Sequence, residues 1–152
     1  MKLSSALKSE HITLRLKGST KVAAIQELLD LLERSGSITN KKQLLAEILE
    51  REEVATTGIG KGIGIPHAKS SAFSGVTCAL GLAGEGIDFA SVDGEPVRII
   101  FLIVASKNMN AQYLSLLANT SRLMQCDDLR NALLQAKDTK QVLDVIMQKE
   151  NE

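Results

Sequence analysis

The sequence predicts an α/β protein, a three-layer α/β/α sandwich built on a mixed β-sheet. Val97 to Ala105 is almost wholly apolar, broken only by Arg98, which is the mark of a central strand dry on both faces. Such a strand needs helices on both sides, and segments of helical spacing stand before and after it. Gly84-Glu85-Gly86 and Asp93-Gly94 with Pro96 are turn signals between strand-like neighbours, so part of the sheet is antiparallel. With 152 residues, no internal repeat and no low-complexity linker, residues 1–152 are expected to form a single domain.

Taken in order, Leu3 to Leu7 suits a short helical turn. Ile12, Leu14 and Leu16 alternate with Thr13 and Arg15 as a half-buried strand, with His11 expected to be solvated at its start. Lys17-Gly18-Ser19 turns the chain. From Thr20 to Ser35, Val22, Ile25, Leu28, Leu29 and Leu32 share one helical face, and Gly36 suits the position just past the last turn. Asn40 and Gln43 resemble a capping box opening a second helix, with the stripe Leu44, Leu45, Ile48 and Leu49 and with Arg51 at its end. Ala68 to Gly75 is expected to be a loop of small residues, and Val76 to Ala83 a strand. A helix from Asn110 carries Leu114, Leu117, Ala118 and Met124. Asp127 is placed as the cap of a short helix with Leu129, Leu133 and Leu134, and a last helix carries Val142, Leu143, Ile146 and Met147.

Composition removes several functions. Lys plus Arg and Asp plus Glu both number 18, so no basic excess recruits nucleic acid. No apolar run approaches the ~20 residues of a membrane helix, and the N-terminus lacks a secretory pattern, so a cytoplasmic protein without membrane insertion is expected. Cys78 and Cys126 are expected to be reduced and unbridged.

The functional signal is Thr56-Thr57-Gly58-Ile59-Gly60-Lys61-Gly62-Ile63-Gly64-Ile65-Pro66-His67. In an extended backbone Ile59, Ile63 and Ile65 would face a core while the other face carried only glycine, leaving room for a close approach. Pro66 stiffens the backbone that delivers His67. Metal binding is disfavoured, because His11 is distant and the cysteines lack ligand spacing. No G-x-S-x-G supports a hydrolase, and neither G-x-G-x-x-G nor G-x-x-x-x-G-K-[ST] supports nucleotide binding. What remains is His67 as a nucleophile toward an activated phosphoryl group, with backbone N–H groups of the glycine stretch helping to hold the phosphate. The plainer alternative is a turn histidine bonded to its own backbone.

That stretch, with Arg51-Glu52 before it, closely resembles the active-site segment of fructose/mannitol-type enzyme IIA domains of the bacterial phosphotransferase system, a segment shared by the nitrogen-regulatory enzymes IIA. The resemblance extends over nearly the whole chain in length and in the order of its elements. It implies that His67 accepts a phosphoryl group from a histidine phosphocarrier protein and passes it to an enzyme IIB. The alternative it leaves is a regulatory module whose phosphorylation state governs a target protein. Arg51 matches the family's active-site arginine, although an arginine in a last helical turn also serves the helix dipole. The hydroxyl of Thr57 and backbone donors would complete phosphate binding, with no metal or cofactor implied. Many relatives carry a second active-site histidine followed by leucine. Here the matching pair is Tyr113-Leu114, so Tyr113 is either a phosphate contact or a packed helix residue.

Overall fold

The computed structural model describes residues 1–152. In chain order the elements are α1 (Leu3–Ala6), β1 (Leu7–Thr13), α2 (Lys21–Arg34), α3 (Lys41–Val54), β2 (Gly58–Gly60), β3 (Ile63–Gly64), β4 (His67–Ser70), β5 (Val76–Ile87), β6 (Val97–Ser106), α4 (Asn110–Leu123), α5 (Asp127–Gln135) and α6 (Thr139–Glu150). The sheet runs β1-β5-β6-β3-β2, and β4 also pairs with β6. β5 lies antiparallel to β6, whereas β1 is parallel to β5 and both β3 and β4 are parallel to β6. The sheet is therefore mixed, as the sequence predicts.

β6 is the centre because its side chains alternate between two dry layers. Ile99, Phe101 and Ile103 join Leu116, Leu133 and Ile146 of α4, α5 and α6. Ile100, Leu102 and Val104 join Ile25, Leu28, Leu44 and Ile48 of α2 and α3. Each large side chain buried this way stabilises the fold by roughly 1.5–3 kcal/mol. The helices start as their caps dictate: Thr20 and Asn40 accept from the backbone N–H groups of Ala23 and Gln43, which opens α2 and α3.

Several local expectations are corrected. Val22, Leu114 and Met147 are exposed, because each lies at the margin of its helix's inner face. Cys126, not Asp127, is the N-cap of α5, and Asp127 opens its first turn, where its charge meets the helix dipole. Gly84-Glu85-Gly86 is not a turn; it lies inside β5, where the pairing with β6 shifts register. The segment after His67 is strand β4 before it is loop.

β1 begins at Leu7, so His11 lies within the strand and is fully buried. Its Nε2 sits 2.7 Å from Ser35 Oγ and 2.9 Å from Ser37 Oγ, under the turn that ends α2. Burial chiefly, with help from Lys8, holds its pKa below 6.5 against the opposing pull of Glu10 and the Cys78 carbonyl. The unfolded chain thus takes up a proton near pH 6.5 that the folded chain refuses. Stability is then complete above that pH and is lost as pH falls through it toward the folded pKa. Urea unfolding at pH 7.5 and 5.5 is expected to show a smaller acid loss for His11→Asn than for wild type; equal losses would remove His11 from this role.

Candidate functional site

The glycine stretch is a hairpin, not one extended strand. β2 and β3 pair as Gly58↔Gly64 and Gly60↔Ile63, and the turn between them holds Gly60, Lys61 and Gly62 at φ of 97°, 58° and 78°. Gly60 and Gly62 are there for those left-handed backbones. Gly58 and Gly64 are there for a close approach, and what approaches is the chain itself. A Cβ on Gly58 would fall 2.2 Å from Ser91 Oγ, and one on Gly64 would fall 2.9 Å from the Phe89 ring. Backbone donors of the stretch are also engaged internally: Gly58 N–H donates to Thr56 Oγ1, Lys61 N–H to Asp93 Oδ2 and Ile65 N–H to the Thr57 carbonyl. These three donors are thus used within the chain, and the hairpin is the mount that leads into His67. Ile63 and Ile65 are buried and Ile59 packs partly against the same core, which anchors it.

From this mount the chain passes Pro66 into β4, where His67 pairs with Ile103 of the central strand. The Ile103 N–H donates to the Pro66 carbonyl at 3.0 Å, so the ladder continues through the proline. His67 is half-buried, and its Nδ1 lies 2.6 Å from the Ile65 carbonyl. A carbonyl only accepts, so Nδ1 carries the proton and the lone pair of the neutral ring is on Nε2. Burial chiefly, with the positive charge of Arg51, lowers the His67 pKa below 6.5, while the Ile65 carbonyl and Glu52 oppose. The ring is neutral at pH 7. The plainer sequence alternative, a bond to its own backbone, is therefore present, and it leaves the second nitrogen free.

Three further residues meet this ring. Tyr113, in the first turn of α4, is buried with its ring centroid 5.9 Å from that of His67 at a tilt of 56°. Burial pushes its pKa up to about 12, so it is a neutral phenol. Arg51, in the last turn of α3, acts electrostatically on both rings while one guanidinium nitrogen donates to the Ala55 carbonyl at 3.0 Å. That bond caps the helix and leaves the other donors of the fork free. With Glu47, Glu50, Val54, Lys69 and Lys107, Arg51 and Tyr113 line a groove of about 460 Å³.

Thr57 is placed otherwise. It is buried, its hydroxyl donates to Glu52 Oε1, and its N–H lies 3.3 Å from Glu52 Oε2. Its hydroxyl is thus held by a carboxylate of this chain. Glu52, whose side chain is only 6% exposed, also accepts from Lys21 Nζ at 2.9 Å and so ties α2 and α3 to the start of the hairpin. Glu52 belongs to the segment that carries the resemblance but has no role assigned to it from sequence, and Lys69 is not named there at all. Reading 67–70 as a strand would have placed Lys69 on the side of His67. No group of three His, Cys, Asp or Glu side chains is arranged to hold a metal ion.

The same fold, a mixed sheet between two helical layers, is found in the nitrogen regulatory protein IIA-Ntr from Neisseria meningitidis. The two share a TM-score of 0.87 at 25% identity over 95% of this chain and 98% of that one. Residues 5–149 match the family described as "Phosphoenolpyruvate-dependent sugar phosphotransferase system, EIIA 2", and the chain belongs to it. A "PTS system fructose-specific EIIA component" of Haloferax volcanii is 40% identical over 137 residues, 90% of this chain and 89% of its own. The "PTS system fructose-specific EIIABC component" of Bacillus subtilis is 32% identical over 97% of this chain, which spans 23% of that longer protein. No helix is long and apolar enough to cross a membrane.

Proposed function

We propose that residues 1–152 act as one cytoplasmic phosphoryl carrier unit, receiving a phosphoryl group on Nε2 of His67 from a histidine phosphocarrier protein and passing it to an enzyme IIB. The observation that carries this reading is the 2.6 Å contact of His67 Nδ1 with the Ile65 carbonyl, which leaves Nε2 as the nucleophile beside Arg51. Family membership supports the reaction class, and the Bacillus relative, whose name joins A, B and C components, supports the acceptor.

The Nε2 lone pair forms the new nitrogen–phosphorus bond as that of the donor's protonated phosphohistidine breaks, and the released electron pair returns to the donor ring as neutral imidazole. Positive charge builds on the His67 ring, and the Ile65 carbonyl stabilises it through the Nδ1–H. No proton has to move for the transfer. Arg51 meets the equatorial oxygens with its free donors, and the Tyr113 hydroxyl is a neutral donor in reach of the same group. Thr57 acts indirectly, by fixing the hairpin through Glu52.

The Neisseria structure favours a second reading, a regulatory IIA whose charge state at His67 alters its contact with a target protein. Both readings share the first step. Labelling by phosphoenolpyruvate through a phosphocarrier relay, followed by two-dimensional NMR of the product, is expected to place phosphorus on Nε2 of His67. A product on Nδ1, or on another residue, would overturn the mechanism. Onward transfer to a sugar-specific enzyme IIB supports the carrier, and retention of the label with every such partner supports regulation.

A further inference from the structure

We propose that Lys69 is a second phosphate-binding cation of this site, supplying the positive charge that a tyrosine at position 113 cannot. The inference rests on the phosphoryl-carrier reading of His67 and adds a residue to it. Along β4 burial alternates: Ala68 and Ser70 point inward, whereas His67 and Lys69 share the outer side of the strand. The Lys69 ammonium lies 5.7 Å from the Tyr113 ring centroid, and the His67 ring lies 5.9 Å from the same ring. Both side chains of β4 are thus neighbours of one aromatic ring.

The ammonium is also kept available. Its polar contact is with a neutral group, Asn110 Oδ1 at 2.7 Å, and no carboxylate lies within ion-pair distance of it. Arg51 likewise spends its contact on a carbonyl. The carboxylates lining the groove are Glu47, which accepts from Ser70, and Glu50; neither neutralises these two cations. Two unpaired positive charges therefore line a groove whose Tyr113 ring also neighbours the nucleophile, and the group to be received carries about −1.5 to −2 charges. A lysine on a four-carbon stem has three donors to turn toward it, and Asn110, at the start of α4, fixes where the stem waits.

The test uses the full chain as wild type, Lys69→Met, which keeps the stem over the tyrosine, and Lys69→Arg. Single-turnover phosphorylation is measured with phosphoramidate, a small donor with no docking surface, and with the protein donor. The last ionisation of the phosphoryl group on His67 is followed by ³¹P NMR. Lys69→Met is expected to slow transfer from both donors about 10- to 100-fold and to raise that ionisation by about half a pH unit, and Lys69→Arg to restore most of both. A loss confined to the protein donor would make Lys69 a partner contact, and superimposable ³¹P titrations would remove its charge from the phosphate; either result overturns the proposal. Labelling of His67→Ala in the same assay would instead mark failure of the underlying reading, and the proposal would fall with it.

Discussion

Replacing His67 by alanine is expected to abolish acid-labile, base-stable phosphorylation by a phosphocarrier relay while the chain still folds. No neighbour can take over. The Tyr113 phenol, with its pKa pushed up to about 12, holds its proton, and the Thr57 hydroxyl is committed to Glu52. The fold should survive because the strand is registered by backbone bonds to β6 and by the buried Ile63 and Ile65, none of which needs the imidazole. Losing the contact to the Ile65 carbonyl costs about 1 kcal/mol. Radiolabel uptake and circular dichroism on the same preparation check both halves, and full labelling of the folded variant would remove His67 from the chemistry.

Arg51→Ala is expected to slow single-turnover phosphoryl transfer by about 10²- to 10³-fold, the cost of removing one charged donor aimed at a developing anion. Arg51→Lys should recover only part of the rate, because an ammonium keeps the charge and loses the planar fork. A smaller structural effect accompanies this. The guanidinium also satisfies the Ala55 carbonyl at the end of α3, so the alanine variant should lose about 1 kcal/mol of stability. The two roles separate in the measurement: a lower melting temperature with an unchanged rate at saturating donor would leave Arg51 as a helix cap alone.

Much of the architecture was legible because β6 and the helices around it follow simple periods. A run dry on both faces can only be central, and Thr20 and Asn40 cap the helices they precede. The site was legible in part. Arg51 and Tyr113 line one groove, the His67 ring lies against Tyr113 and feels the Arg51 charge, and the composition of the glycine stretch pointed there. What sequence could not give was the destination of each glycine. Two answer to φ and two to the Phe89–Ser91 segment, which lies some thirty residues downstream and leaves no local trace. The burial of His11 leaves no local trace for the same reason, since its cover comes from Ser35 and Ser37 after a whole helix. Thr57 reads as a free hydroxyl in sequence, and only the placement of Glu52 at the end of α3 shows it to be taken.

The pairing of β4 also has a consequence for biosynthesis. The strand that carries His67 has a single neighbour in the sheet, β6, and the partner of His67 is Ile103, 36 residues later in the chain. Until that partner has been translated and has left the ribosome, β4 has nothing to pair with, and contacts of this sequence separation are slow to close. Ile103, whose N–H meets the Pro66 carbonyl, and the Lys107 and Tyr113 side chains of the groove likewise come from the later part of the chain. A nascent chain that ends before Ile103 therefore contains His67, Ile65 and Arg51 but neither the strand pairing nor the Tyr113 ring against which the imidazole is set, so the geometry around the histidine is acquired only once the later strand and helix have been made.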